Sequence, residues 1–308
     1  MKGIVYKSTG SWYMVKGEDG HVYQARLKGK FKIKDITSTN PIAVGDDVGF
    51  EMEDEAENRT MITDLLPRRN YVNRISPANR RQHHIIASNL DQSLLIATIK
   101  EPRTSTGFID RFLVTCEAFH IPAIIVFNKS DLHEEYETAV YEERKAIYEK
   151  VGYRVLLTSV EEEKGLDVLK ETLYGKTTLI SGHSGVGKSS IINAILEGVN
   201  IRTTEVSNWS GKGMHTTTFA EMYDLPEGGR IIDTPGMREF AIADITKDEF
   251  SHFFPEMKLR LNQCQFNNCM HINEPGCAIK KAVLDGEIHE DRYISYCTIL
   301  DSMADKEW

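Results

Sequence analysis

The 308-residue sequence lacks any apolar run approaching the roughly 20 residues that cross a bilayer, which excludes a helical membrane protein. Its first residues, MKGIVYKSTGSWYMV, hold neither a continuous apolar core nor a small-residue cleavage site, so no export signal is expected. Cysteine is scarce. The five present (Cys116, Cys264, Cys269, Cys277 and Cys297) are odd in number, which argues against a disulfide framework and for thiols kept reduced in the cytoplasm. Internal repeats and low-complexity tracts are missing too. Net positive charge is absent: the formal charge of −9 speaks against a nucleic-acid partner for the molecule taken whole.

What is present refines that picture. A content of 41% hydrophobic and 27% charged residues is that of an ordinary globular protein. At about 100–200 residues per domain, the length predicts two or three domains. Charge is uneven. Residues 1–40 carry eight Lys/Arg (Lys2, Lys7, Lys16, Arg26, Lys28, Lys30, Lys32, Lys34) against three acids, and the stretch 68–81 carries Arg68, Arg69, Arg74, Arg80 and Arg81 with no acid. Such clusters can meet a phosphate backbone whatever the global sign, although taken alone a solvated basic face is the preferred reading of them.

The segments GIVYKS, SWYMVK, HVYQARL, DDVGFEME and TMITDLL are short, β-branched and aromatic, with Gly, Asp and Asn between them. Five such strands within residues 1–67 predict a small β-barrel of the OB-fold type. Residues 68–84 read as a basic linker. From residue 85 to 243, strands expected at 94–99, 123–127, 154–158, 177–181 and 230–233 alternate with helical stretches, which predicts an α/β unit with a mostly parallel sheet. Residues 244–308 form a third, small, mainly helical unit.

Gly182-His183-Ser184-Gly185-Val186-Gly187-Lys188-Ser189 fits G-x-x-x-x-G-K-[ST], with an apolar strand before it and a helical stretch after it. Glycines let successive N–H groups turn inward around phosphate oxygens, and the helix that follows offers its positive end to the same anion. Lys188 is expected on the terminal phosphates, Ser189 on Mg²⁺, and Ser190 beside them. Asn128-Lys129-Ser130-Asp131 follows the strand Ala123–Phe127 as N-K-x-D. A carboxylate at Asp131 can accept from the adjacent N1–H and 2-amino groups that guanine has and adenine lacks, so this motif selects GTP over ATP. Asn128 would bond the other edge of the base and the Lys129 stem would lie along the ring. Ser159, after the next strand, is a looser candidate for the base loop.

Asp233-Thr234-Pro235-Gly236 fits D-x-x-G, with Asp233 on the Mg²⁺ shell and Gly236 on the terminal phosphate. Upstream, His215 precedes Thr216, Thr217 and Thr218. One threonine would close over Mg²⁺; three in a row leave its identity open, with Thr217 preferred. Met237 stands where many GTPases place a water-orienting glutamine, so His215 becomes the candidate for that task. His215, Thr217 and Lys188 are therefore the candidate catalytic residues. A structural histidine and a strand start at the threonines are the competing readings.

The motif order is unusual. N-K-x-D precedes the phosphate loop, the switch threonines and D-x-x-G, the reverse of the common arrangement. Joining the old termini near residues 174–176 and cutting after the D-x-x-G strand keeps the same sheet, so the GTPase domain is expected to be circularly permuted. Its switch then leads directly into the C-terminal unit. There, Cys264-x4-Cys269-x-His271-x5-Cys277 sets three thiols and an imidazole within fourteen residues, a donor set suited to one tetrahedral, structural Zn²⁺.

Motif order and cysteine spacing together make the chain resemble the circularly permuted, small-ribosomal-subunit-dependent bacterial GTPases of the RsgA/YjeQ family. The resemblance runs from the barrel through Asn89-Leu90-Asp91-Gln92, N-K-x-D, the phosphate loop, H-T-T-T and D-T-P-G to the Cys/His cluster. It implies GTP hydrolysis to GDP and phosphate, stimulated by the small subunit during its late maturation, with Mg²⁺ and one Zn²⁺. It also implies contact with ribosomal RNA, a hydrophobic residue in the usual glutamine position, and catalysis by the histidine before the switch threonines. A cytoplasmic monomer without membrane contact is expected. The alternatives are a nucleotide-gated RNA-binding scaffold with little turnover and a metabolic P-loop kinase or ATPase; Asp131 argues against the latter.

Overall fold

The computed structural model describes residues 1–9, 12–28, 41–54, 59–75, 83–196, 220–234 and 245–303. Strands β1 (Lys2–Ser8), β2 (Tyr13–Gly17), β3 (Val22–Leu27), β4 (Asp47–Asp54) and β5 (Arg59–Leu65) pair in the order β1-β2-β3-β5-β4, and β4 returns to pair with β1. That closure leaves a five-stranded barrel, the OB arrangement expected, with β3 and β5 parallel. Alternation does the work: Val5, Tyr13, Val15, Tyr23, Ala25, Val48, Phe50 and Ile62 point inward and form one core.

The stretch expected as a basic linker is built otherwise. β6 (Tyr71–Ile75) and β7 (His83–Ser88) form an antiparallel pair. Arg68 is tied down before them: its guanidinium donates to both Asp46 carboxylate oxygens at 2.6 Å and to the Pro41 carbonyl at 2.7 Å. Asp46 is fully buried and also accepts from the Ser88 hydroxyl and the Ala43 N–H. Arg69 binds the Asn89 carbonyl and Asp91. A buried carboxylate needs paired donors, and these two arginines hold structure together where a solvent-facing basic stretch was expected.

The second unit runs β8 (Gln92–Ala97), α1 (Thr106–Ala118), β9 (Ala123–Phe127), α2 (Glu135–Lys150), β10 (Arg154–Leu157), α3 (Leu166–Leu173), β11 (Thr177–Ser181), α4 (Lys188–Ile195), β12 (Glu221–Asp224) and β13 (Arg230–Asp233). The sheet order is β10-β9-β8-β11-β13-β12, parallel except for β12. β8 is buried at every residue, as a strand covered on both faces must be. Its Leu95 and Ala97 pack under α1 and α2, and its Leu94 and Ile96 pack under α3 and α4. β11 neighbours β8 and β13 although its residues lie 86 positions from their partners on β8, the circular permutation expected from the motif order.

β12 carries the sheet into the barrel by pairing with β1 at Lys7 and Glu221, so eleven strands are continuous. Ion pairs line this seam. Lys7 meets Glu221 at 2.8 Å and Lys16 meets Asp224 at 2.5 Å, while Tyr6 donates to Asp224 at 2.6 Å. Two of the basic residues counted toward a nucleic-acid face are thus paired with acids along the sheet edge.

The C-terminal unit holds short helical turns, α5 (Pro255–Lys258), α6 (Ala278–Leu284) and α7 (Glu290–Ser302). Phe250, Phe254 and Tyr296 stack in its core, which Val114 of α1 completes. Arg292 of α7, 1% exposed, bridges Asp110 of α1 and Glu256 of α5. Among the described residues no helix is long and apolar enough to cross a membrane.

Candidate functional site

β11 ends where Gly182 turns the backbone at φ +142°, in contact with β8 so close that a Cβ would strike the Ile96 carbonyl. Gly185 and Gly187 follow at φ +87° and +90°, conformations that favour glycine. Gly187 caps α4, so the loop's amides and the helix N-terminus converge on one point. Lys188 lies back across the loop, its ammonium donating to the carbonyls of Gly182 at 2.6 Å and His183 at 2.8 Å. Burial lowers its pKa. Ser189 and Ser190 occupy the first turn of α4, and Ser184 and Gly185 are exposed at the mouth of the loop.

Asp233 ends β13, paired in register with Ile180 of β11. Burial pushes its carboxyl up to about 6, against the pull of Lys188. One carboxylate oxygen is buried with no hydrogen-bond partner among the described residues. An orphaned carboxylate oxygen at this strand end is a hard oxygen donor of the kind a divalent cation takes. Thr234 donates to the Ile180 carbonyl and fixes the strand end. Gly236, His215 and Thr217, with Thr216 and Thr218, lie outside the described residues.

The base-reading motif is assembled beside the phosphate loop. Asn128, 2% exposed, donates to the Val186 carbonyl at 2.9 Å and accepts from the Thr158 hydroxyl at 3.0 Å. Lys129 takes φ +64° and turns the chain, and its ammonium crosses the loop to the Glu101 carbonyl at 2.6 Å. Ser159 donates to Asp131 at 2.5 Å and accepts from the Glu162 N–H, so the carboxylate is held before any base arrives. Ser130 follows Lys129 in the same turn. The structure therefore brings Asn128, Lys129, Ser130, Asp131 and Ser159 to one end of the parallel sheet, next to residues 182–190 and Asp233. Sequence reasoning missed Thr158 as the support of Asn128. It also missed the segment Lys100–Ser105, whose Pro102 and Thr104 touch the phosphate loop and which carries no motif of its own.

Cys264, Cys269, His271 and Cys277 bring four ligand atoms within 4.8 Å of one another. The Cys264 and Cys277 sulfurs stand 3.6 and 3.5 Å from His271 Nδ1, close to the edge lengths of a tetrahedron around one ion. Such a cluster can hold one zinc. Its loop is pre-shaped: Glu274 accepts from the N–H groups of Met270, Ile272 and Asn273, and the hydroxyls of Tyr293 and Tyr296 on α7 donate to the carbonyls of His271 and Met270.

Residues 65–243 match the family model described as RsgA GTPase, and residues 2–59 match the RsgA N-terminal domain. The chain is 53% identical over 300 residues to the small ribosomal subunit biogenesis GTPase RsgA of Cytophaga hutchinsonii, covering 97% of this chain and 98% of the relative. With the protein of the same name from Christiangramia forsetii it shares 48% identity over 306 residues, 99% and 97% of the two chains. Among solved structures it is similar to YjeQ from Thermotoga maritima, with a TM-score of 0.80 and 34% identity over 99% of both chains. YloQ, a circularly permuted GTPase, gives a TM-score of 0.75 at 30% identity over 100% of this chain and 96% of the other.

Proposed function

The chain belongs to the RsgA GTPase family, and from that premise we propose that it hydrolyses GTP to GDP and phosphate on the small ribosomal subunit during that subunit's biogenesis. The observation that carries the reading is the bond from Asn128 to the Val186 carbonyl, which locks the base reader to the phosphate loop across 58 residues of chain. Both motifs are needed for a guanine nucleotide, and here they form one site.

In that site Asp131 selects guanine, and Ser159 keeps its carboxylate aimed. The loop amides of residues 182–188 enclose the phosphates, and Lys188 leaves its two loop carbonyls for the terminal phosphate oxygens. Ser189, Asp233 and Thr217 would hold Mg²⁺, which would supply positive charge against the phosphates. Gly236 lies against the terminal phosphate and His215 orients water, a task Met237 cannot perform. Zinc at the Cys/His cluster staples the C-terminal unit. The proposed units are the barrel (1–67), the connecting stretch 68–84 with its strands, the permuted GTPase unit (85–243) and the zinc unit (244–308). The protein works as a cytoplasmic monomer that touches ribosomal RNA.

Met237 favours one competing reading, a nucleotide-gated scaffold with little turnover. Hydrolysis measured with and without purified small subunits separates the two: stimulation is expected, and its absence favours the scaffold. Asp131→Asn is expected to weaken GTP binding about 10⁴-fold, the loss seen when a buried polar recognition pair is broken. Unchanged GTP affinity in that variant overturns guanine recognition by this site.

A further inference from the structure

Between β8 and α1 the chain crosses the phosphate loop and touches the nucleotide site at three points. The Glu101 carbonyl accepts from Lys129, and Pro102 lies against Gly185, where an added Cβ would come within 3.3 Å of its ring. The Thr104 hydroxyl lies 2.9 Å from His183 Nε2. The His183 ring also meets Phe108 edge-on, with centroids 5.1 Å apart. We propose that Thr104 is a positioning residue for the phosphate loop, acting through His183, and so sets the affinity for the nucleotide's phosphates. The proposal rests on the reading of residues 182–189 as the phosphate site.

Thr104 is built to be immobile. It is fully buried, and its hydroxyl oxygen accepts from the Thr98 N–H at 3.0 Å. Its own N–H donates to the Thr98 carbonyl, and its carbonyl accepts from Arg144, itself 5% exposed. With the oxygen already accepting, the hydroxyl proton is free to donate to His183 Nε2. On the other side of the ring, Nδ1 faces the Ser184 carbonyl at 3.4 Å. A carbonyl only accepts, so the ring that satisfies both neighbours carries its proton on Nδ1.

This contact matters because the phosphate loop has much backbone freedom to restrain. Three of its residues are glycines at positive φ, and glycine has the most conformational freedom to lose. The His183 carbonyl is one of the two that hold Lys188. Fixing the His183 ring from a rigid neighbour fixes that carbonyl, the amide beside it and the lysine that must reach the terminal phosphates. The ordering is done before the nucleotide arrives, which raises affinity without any new contact to the ligand.

The test is a double-mutant cycle on the full-length, zinc-loaded protein, read by GDP titration and by GTP turnover with small subunits. Thr104→Val and His183→Ala should each raise the Kd for GDP about tenfold. For Thr104→Val, turnover at saturating GTP should change less than about threefold, and the double variant should bind GDP no more weakly than either single one. Thr104→Ser, which keeps the hydroxyl, should bind as the wild type does. Single variants within about twofold of wild-type affinity, or effects that add in full, overturn the proposal. If Thr104→Val does not fold, Phe108→Leu with His183→Ala gives the equivalent cycle with the same two outcomes. A wild-type protein that binds no guanine nucleotide at all defeats the GTPase reading instead, and the two failures are told apart by that control.

Discussion

At the scale of single residues, the site is a set of close approaches that leave no room for a methyl group. Gly187 shows this best. Its φ is +90°, and a Cβ there would strike the Asn128 amide that bonds Val186. Gly187→Ala is expected to store about 1–3 kcal/mol of backbone strain and to push Asn128 off the loop. GDP affinity should fall at least tenfold by titration calorimetry, with the far-ultraviolet spectrum unchanged. Affinity within twofold of wild type would remove Gly187 from the site. The glycines, Lys188 and Asp131 were legible in the sequence because each motif is local: spacing along the chain sets spacing around the phosphates and the base. Arg68 was not legible. Its role depends on Asp46, 22 residues upstream, and nothing in a run of arginines shows that one of them faces a buried carboxylate.

At the scale of elements, long periodic segments read well and short ones did not. Helix α1 announced itself through Ile109, Phe112, Leu113 and Cys116, and β9 through an unbroken apolar run. The four residues of β12, EMYD, carry no alternation that distinguishes them from a turn, yet this strand joins sheet to barrel. The pair β6–β7 was hidden inside an Arg-rich stretch for the same reason, since its stability comes from pairing and from the core formed by Val72, Ala87 and Leu90. Nor could the pattern of α7 reveal Arg292, a buried cation whose partners sit 182 and 36 residues away. Because Arg292 neutralises both Asp110 and Glu256, Arg292→Met leaves two buried carboxylates without their cation. A loss of about 3–5 kcal/mol is expected, the cost of breaking a buried ion pair from one side. Urea denaturation should show the midpoint move down. A variant as stable as the wild type would mean that the two acids find other donors.

At the scale of the whole molecule, permutation decides what the nucleotide site is connected to. The motif order made the reversed connectivity readable, but not the attachments it creates. β12 takes the barrel on β1, and the cut leads the chain after β13 into the C-terminal unit. That unit is then held in place by α1, through Val114 and the Arg292 bridge, so the helix that starts beside His183 also carries the docking face. The nucleotide site itself draws its residues from loops at the ends of β8, β9, β10, β11 and β13 and none from the Cys/His cluster. Metal removal should therefore separate the two. The donor set 264–277 spans turns with little regular structure, and Cys277 also caps α6 by accepting from the Lys280 N–H. The aromatic core of Phe250, Phe254 and Tyr296 packs with Cys277 in one cluster, but it is also tied to α1 through Val114 and to α1 and α5 through Arg292, contacts that need no metal. Chelation of zinc is thus expected to abolish hydrogen-exchange protection over residues 264–284 while the Arg292 turn of α7 keeps its own. GDP affinity should stay within about twofold of the metal-loaded protein, a difference under roughly 0.4 kcal/mol. If chelation weakened GDP binding tenfold, the cluster would have to act on the nucleotide site through α1, and the docking of the C-terminal unit would be part of the switch.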